Sequence, residues 1–546
     1  MQRRAFLKTI AAAGASTIIL PDYLSAYRGI SAAKYFSLHP FIDTHPEAVF
    51  IMRTSVSSKT AATEKMQAGL DLANQIFSLS DSAGIPLSNL MAIKPNLTCT
   101  GGAADTIDGM GIRTDVPFLE GLINGIISTG FLPSNMYMRE SNWMGDAYCP
   151  SERLIGGMKE MAERTGVHLL DFPTGRTVDQ LAFDTLVDDQ EVIWKDCTGG
   201  VVFKRVGYLA PFNRTDSWIL NVSKFKTHGM GMTLCVKNLQ GTAVNPLVSF
   251  CESVDHNKLQ PANVRDYFQP DLETHIDSLY DAHRTAGYPR WDRDGRDSSG
   301  GYGMETWAQR TCDSHSLMNP GLHIIEGIYG RNGNGFADGP GANGKAEDFL
   351  TNILIFGKDP FLVDIIGFWL AGHEPGNFGL FHIAKERGML SGLNPMKIPV
   401  YEWSNGSPTL TPLDHFTRTP LVCTYLRRDY NGQTEPLYHL VNEPFHYDPT
   451  NADDAIEKPD AYILNQNYSN PFHDSTIIEY TLPKSCYAQI EVFDAKGERI
   501  DLLVHGWQTQ GVHMTKWDAG RRAAGVYYYR FRANGFVDMK KMIVVR

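Results

Sequence analysis

Cysteine is sparse and dispersed. The 546-residue chain has eight, Cys99, Cys149, Cys197, Cys235, Cys251, Cys312, Cys423 and Cys486, and no two stand as C-x-x-C. Iron–sulfur clusters and structural zinc sites need closely spaced thiolates. Neither is expected here, and the thiols read as buried and free, with room for one or two disulfides. Basic residues are outnumbered: 50 Lys and Arg face 61 Asp and Glu, for a net charge of -11. Nucleic-acid binders usually carry a basic face, so no nucleic-acid partner is expected. Beyond the N-terminus no stretch is long and apolar enough to cross a bilayer. A Walker A sequence, a G-x-S-x-G elbow and an H-E-x-x-H pair are also missing, which removes three familiar motif-borne chemistries.

What is present is ordinary globular composition, 42% hydrophobic and 20% charged, with length enough for roughly two to four domains. Residues 1–33 have the shape of an export signal. Arg3, Arg4 and Lys8 precede a short apolar run, Thr9 to Leu20, too short for a confident membrane span. Arg3-Arg4-Ala5-Phe6-Leu7-Lys8 resembles the R-R-x-F-L-K consensus of twin-arginine signals. That resemblance implies recognition by the twin-arginine export machinery and a periplasmic, extracellular or cell-surface location. Cleavage is placed after Ala26 or near Ala32-Ala33.

Residues 47–402 alternate helical and strand patterns. Amphipathic or capped segments at 63–79, 116–130 and 151–166 predict helices, with Pro117 opening the second and Ser151 capping the third. Apolar runs at 90–97, 135–142 and 167–172 predict strands. The rhythm predicts an α/β fold, an open and mostly parallel sheet with helices on both faces. Ligands of such sheets sit beyond the carboxyl ends of strands, where Lys94, Asn96, Glu140, Ser141 and Asn142 fall. Residues 255–320 are rich in His, Asp, Arg, Gly and Tyr and read as a lid-like excursion with a helix near 271–286. The pattern resumes with strands at 322–330 and 349–357 and a helix at 360–372. Residues 403–460 read as a connector.

From 461 to 546 the pattern is all β, with turns at "DAKGE", "QTQG" and "RANG", and predicts an Ig-like sandwich. The stretches "NYSNPF", "STIIEYTLP", "VFDAKGERI", "TKWDAG", "AGVYYYRFRANG" and "KKMIVVR" resemble the Ig-like module shared by flagellar hook-capping proteins and type IX secretion sorting domains. The resemblance implies surface attachment or contact with secretion machinery through this end.

Within the core, "IKPNL" (93–97), "GIRTDVPFLEGLINGIISTG" (111–130), "WILNVSKFKTHGMGMTLCVKNLQGT" (218–242), "EGIYGRNGNGFADGPG" (326–341) and "GKDPFLVDIIGFWLAGH" (357–373) resemble the bacterial and archaeal domain of unknown function 362. Many relatives add a ferredoxin-type cysteine cluster, which this chain lacks.

The same residues can be read physically. Lys94 and Asn96 follow a strand and Pro95 stiffens the turn. Lys224, Lys226 and His228 are expected just past the strand "DSWILNV", with period-two spacing aiming all three at one face. Lys237 and Asn238 follow a short apolar run. Cations and amides gathered at strand ends suit a small anionic ligand such as a carboxylate, phosphate or sulfonate, or an oxyanion state. The alternative is an ionic network with Glu140, Glu326, Asp338, Asp359 and Asp364, because buried lysines are almost always paired.

Lys224, Lys226 and His228 are the catalytic candidates. Lys94, Asn96, Glu140, Lys237 and Asn238 are the ligand-binding candidates. Glu326, Asp338 and Asp364 are the candidates for holding a divalent metal. Asp359, before Pro360, reads as a helix cap. His256, His275 and His283, with Asp255 and Asp277, match no standard zinc spacing. Two functions stay open: an exported enzyme acting on a small anion, or a non-catalytic module that binds an anion, metal or cofactor. An adhesion or scaffold role through the Ig-like end is a third.

Overall fold

A computed structural model describes residues 35–81, 84–97, 111–140, 157–169, 192–228, 231–244, 266–289, 301–319, 321–333, 339–341, 344–423, 444–447, 461–467, 470–483, 486–508 and 511–545. The signal segment, Ser141, Asn142, Asp255, His256 and Asp338 lie outside them.

The core is a ten-stranded sheet. Its strands are β1 (Val49–Arg53), β2 (Leu90–Pro95), β3 (Met136–Met138), β4 (His168–Leu169), β5 (Ser217–His228), β6 (Gly231–Thr233), β7 (Gly321–Arg331), β8 (Asp348–Gly357), β9 (Val400–Ser404) and β10 (Ser407–Leu410). They stand in the order β10-β9-β1-β8-β7-β5-β2-β3-β4, with β6 folded back on β5. The run β4-β3-β2-β5-β7 is parallel throughout. The interior strand β8 opposes both of its neighbours, which makes the sheet mixed.

Helices cover both faces, as the βα rhythm predicts. On one face pack α1 (Ala62–Ile76) and α2 (Val116–Ser128), through Leu72, Phe118 and Leu122 against Ile93, Val222 and Ile324. On the other pack α3 (Gly301–His315), α4 (Pro360–Leu370) and α5 (Gly379–Glu386), through Trp307, Ile366 and Phe381 against Ile51, Phe225 and Ile325. Local chemistry sets the helix starts. Asp115 accepts from the Phe118 N–H at 3.2 Å to open α2, and Asp359 accepts from Phe361 and Leu362 N–H at 2.8 and 3.1 Å to open α4.

The structure corrects the sequence reading in several places. Lys224, Lys226 and His228 do not follow β5 but form its last turns of pleat, because the strand runs on to His228. The described part of the excursion holds more helix than expected. Besides Leu272–Ala286 it holds α3, whose described residues are buried from Gly301 to Ser314. Met304, Trp307, Ala308 and Cys312 recur at helical spacing there, a pattern diluted by the polar residues between them. A hairpin of Val192–Asp196 and Arg205–Leu209 was not anticipated. The core sheet continues past residue 402 through the β9–β10 hairpin. Cys197, Cys235, Cys312, Cys423 and Cys486 are buried free thiols.

The C-terminal residues form two antiparallel sheets. One joins Ile463–Leu464, Ser475–Leu482 and Gly511–Asp518, and the other joins Arg499–Gln508, Cys486–Phe493, Gly525–Ala533 and Phe536–Val544. Ile478, Tyr480, Ile490, Trp517, Tyr529 and Phe531 fill one core between them, a β-sandwich.

Candidate functional site at the carboxyl edge of the sheet

β5 is the long central strand. Its neighbour β2 ends at Pro95, opposite Val222, so residues 223–228 project beyond it. The alternation of β5 sorts its side chains. Leu220 and Val222 join the core under α1 and α2, whereas Phe225 joins the core on the other face. Lys224 and Lys226 therefore share the α2 face.

On that face Lys224 donates to Glu326 Oε2 at 2.6 Å, its register partner on β7. The same oxygen accepts from Asp115 N–H at 3.2 Å, and Glu326 Oε1 accepts from Ile328 N–H at 3.0 Å. Asp115 in turn takes Lys65 of α1 at 2.6 Å. Lys226 is buried and donates to the Ile112 carbonyl. Burial pushes its ammonium well below the usual lysine range, and the charges of Lys237, Arg331 and Lys224 push it further, against a smaller pull from Glu140. His228, half-buried at the strand end, is held well below the usual histidine range by its surroundings and then by Lys237 and Lys226.

Lys94 belongs to the opposite face. Met91 and Ile93 of β2 lie under α2 while Ala92 joins the cluster of the Val192–Leu209 hairpin, so Lys94 points away from Lys224. It donates to Glu140, to the Pro95 carbonyl at 2.7 Å and to Asn238 Oδ1 at 3.2 Å. Its burial lowers its proton affinity, Glu140 offsets part of that, and Lys237 adds to it. Asn238 donates to Asn221 Oδ1 at 2.7 Å and to the Lys94 carbonyl at 3.2 Å. Asn221 passes the chain on to the Cys235 carbonyl at 3.0 Å and His323 Nδ1 at 3.1 Å. Asn96 donates from Nδ2 to Asn238 Oδ1 at 3.0 Å, and its N–H bonds Thr114 Oγ1 at 2.8 Å.

The predicted floor is thus two layers, one on each face, meeting where β2 stops. Glu140 and Lys237 act electrostatically on both, since each perturbs Lys94 and Lys226 alike. The metal candidates do not come together. Glu326 holds Lys224, and Asp364 accepts from Cys235 and Val236 N–H at 2.7 and 2.8 Å, capping the short helix that carries Lys237 and Asn238. Burial drives the Asp364 carboxyl well above its ordinary range, against the two amides. Among the described residues no group of three or more His, Cys, Asp or Glu is placed to hold a metal. His275 is exposed, and His283 sits between two glutamates.

Thr114, Asp115, Asn221, His323 and Gly241 were missed as site residues. The G-I-R-T-D and K-N-L-Q-G stretches carried the signal for three of them, but nothing in the sequence names His323.

The family model described as "Domain of unknown function (DUF362)" matches residues 91–369. The chain belongs to this family. The match starts at β2 and ends in α4, so it takes in every described candidate of both layers. The DUF362 segment leaves β1, β9 and β10 of the same sheet outside it. No curated protein matches the chain significantly. Among solved structures it is similar to PorZ, titled an essential bacterial surface component of the type-IX secretion system of Porphyromonas gingivalis. That likeness has 18% identity over 16% of this chain and 12% of that one, with a TM-score of 0.12. It is also similar to dimeric latent PorU from Porphyromonas gingivalis, at 24% identity over 15% of this chain and 9% of that one, TM-score 0.13. The chain therefore spans only a small fraction of either structure's length.

Proposed function

We propose that this DUF362 protein is an exported enzyme that binds a small anion across the carboxyl edge of the sheet, with Lys226 as its proton acceptor. The observation that carries the reading is the placement of Lys226, a buried amine ringed by Lys224, Lys237 and Arg331 and depressed well below its normal proton affinity. A lysine whose proton affinity is lowered in this way gives up its proton more readily than a free one, and such perturbed groups cluster at functional sites. An anion beside it would raise that proton affinity again. Lys237 supplies attraction to that anion, and His228, whose proton affinity is lowered by burial and then by Lys237 and Lys226, supplies a hydrogen bond. Lys94–Glu140 and Lys224–Glu326 are the rigid walls. No metal enters the proposal, because Glu326 and Asp364 already hold an ammonium and two amides.

Export rests on the Arg3-Arg4 signal and delivery to the cell surface on the C-terminal module, both as sequence resemblances. The paired walls also suit a second reading, a binding module without turnover.

The test is calorimetry of phosphate, sulfate and short carboxylates at pH 7 in buffers of different ionisation heat. Binding should be accompanied by proton uptake, and Lys226→Met should remove the uptake and weaken affinity at least tenfold, about 1.4 kcal/mol. Lys226-dependent exchange of solvent deuterium into the bound carboxylate, read by NMR, separates the enzyme from the binder. If none of these anions binds, the reading fails.

A further inference from the structure

We infer that the anion bound at this edge also carries a neutral hydroxyl group, which donates a hydrogen bond to Asn96 Oδ1. The inference rests on the anion reading above and narrows it to hydroxylated anions.

Asn96 is 6% exposed, and its Oδ1 is a buried oxygen with no hydrogen-bond partner among the described residues. Buried side-chain oxygens of this kind are nearly always satisfied. Rotating the amide does not rescue it, because the surrounding knot fixes its sense. Asn238 uses both amide hydrogens, on Asn221 Oδ1 and the Lys94 carbonyl. Its Oδ1 must therefore accept, and it does so from Lys94 Nζ and Asn96 Nδ2. Turning Asn96 over would set oxygen against oxygen and leave the Asn238 acceptor short of a donor. The Asn96 backbone is pinned as well, by Thr114 Oγ1 at 2.8 Å and the Val222 carbonyl at 3.1 Å. The result is a rigid acceptor, unmatched among the described residues, at the point where β2 stops and the two lysine layers meet.

Such an acceptor selects a donor. Charge decides which kind. Lys94 and Lys237 are beside this knot, and the Glu140 carboxylate there is already taken by Lys94 and the Leu97 N–H, so a ligand ammonium would be repelled where a hydroxyl is not. The fitting ligand places its anionic group toward Lys226 and Lys237 and its hydroxyl toward Asn96. A site that hydrogen-bonds a hydroxyl discriminates strongly against the analogue lacking it, because the buried partner is then left unpaired.

The experiment is calorimetric titration of the full chain with matched pairs: acetate and glycolate, propionate and lactate, succinate and malate, ethyl phosphate and 2-hydroxyethyl phosphate. Glycine and alanine serve as the ammonium arm. In the pair that binds, the hydroxylated member should bind at least tenfold tighter, the amino acids should bind no tighter than the deoxy members, and Asn96→Leu should collapse the preference to less than threefold. Should that variant fail to fold, the wild-type pairs decide alone. Equal affinity within every binding pair overturns the inference, with a trapped water satisfying Oδ1, and leaves the anion reading intact. Preference for the amino member overturns it too. Absence of binding by all these anions overturns both.

Discussion

At the scale of single residues, Gly241 shows how tightly the walls of the site are fitted. A Cβ on Gly241 would come within 1.8 Å of Glu140 Oε1 and 2.9 Å of Lys94 Cε. Alanine there must push the carboxylate off its lysine, leaving two buried charges imperfectly paired. Separating a buried ion pair is far more damaging than replacing it with apolar groups. Gly241→Ala should lower stability by about 3 kcal/mol, measured as a lower urea midpoint at unchanged slope, and should weaken anion binding in the same preparation. A variant as stable as the parent would show that Glu140 can move freely.

The residue types of this site were legible because lysines and asparagines interrupt apolar runs at 94–96, 224–228 and 237–238. Their division between two faces was not. Period two fixes which residues of one strand share a face, but says nothing about the parity of β2 relative to β5. The partners Glu140 and Glu326 come from elsewhere in the chain, 46 and 102 residues from their lysines, and only the strand order brings them in.

At the scale of elements, one histidine ties three helices together. His283, on Leu272–Ala286, bonds Glu305 of α3 through Nδ1 at 2.7 Å and Glu386 of α5 through Nε2 at 2.8 Å. Tyr288 stacks on the ring and donates to Glu386 at 3.2 Å, and Gln309 donates to the other oxygen of Glu305 at 2.8 Å. Two carboxylates can be satisfied together only by the imidazolium, which donates from both nitrogens. Burial alone would pull the histidine down, but the two glutamates outweigh it and raise it above its usual value.

A raised value in the folded state means the clamp is complete below the unfolded value of about 6.5 and is lost as pH climbs through the higher folded one. Wild type should therefore lose about 2 kcal/mol relative to His283→Gln between pH 6 and pH 9, read from paired denaturation curves. A pH-independent difference would mean that the ring is neutral throughout. The sequence hid this clamp because two of its three helices carry mostly polar residues. The wealth of His, Asp and Gly suggested a loop, and the Trp307 and Cys312 stripe of α3 becomes apparent only beside its neighbours.

At the scale of the whole molecule, the C-terminal sandwich was the most legible part. Its strands alternate cleanly and its turns carry Gly, Asn and Asp. Pairing fulfils that pattern almost strand for strand. Its core is self-sufficient. All buried members of its apolar cluster, and the half-buried residues packed on it, fall between Tyr462 and Val544. Trp517 lies against Phe472 and Tyr527, with centroids 5.8 and 5.3 Å apart. The Tyr529 hydroxyl donates to the Asn465 carbonyl at 2.7 Å and accepts from Asn467 N–H at 2.6 Å, stitching the entering segment to the second sheet.

A unit of this size buries a modest share of its surface and depends on such aromatic packing. Residues 461–546 produced alone should therefore fold and melt in one cooperative transition. Trp517→Ala should remove about 3–5 kcal/mol from that transition. In the full chain the same substitution should lower the transition of the sandwich and leave anion affinity at the sheet edge unchanged, since no residue of the site draws on this cluster. An isolated segment that stays unfolded, or a Trp517→Ala chain that loses anion binding, would show that the sandwich and the α/β core stabilise one another.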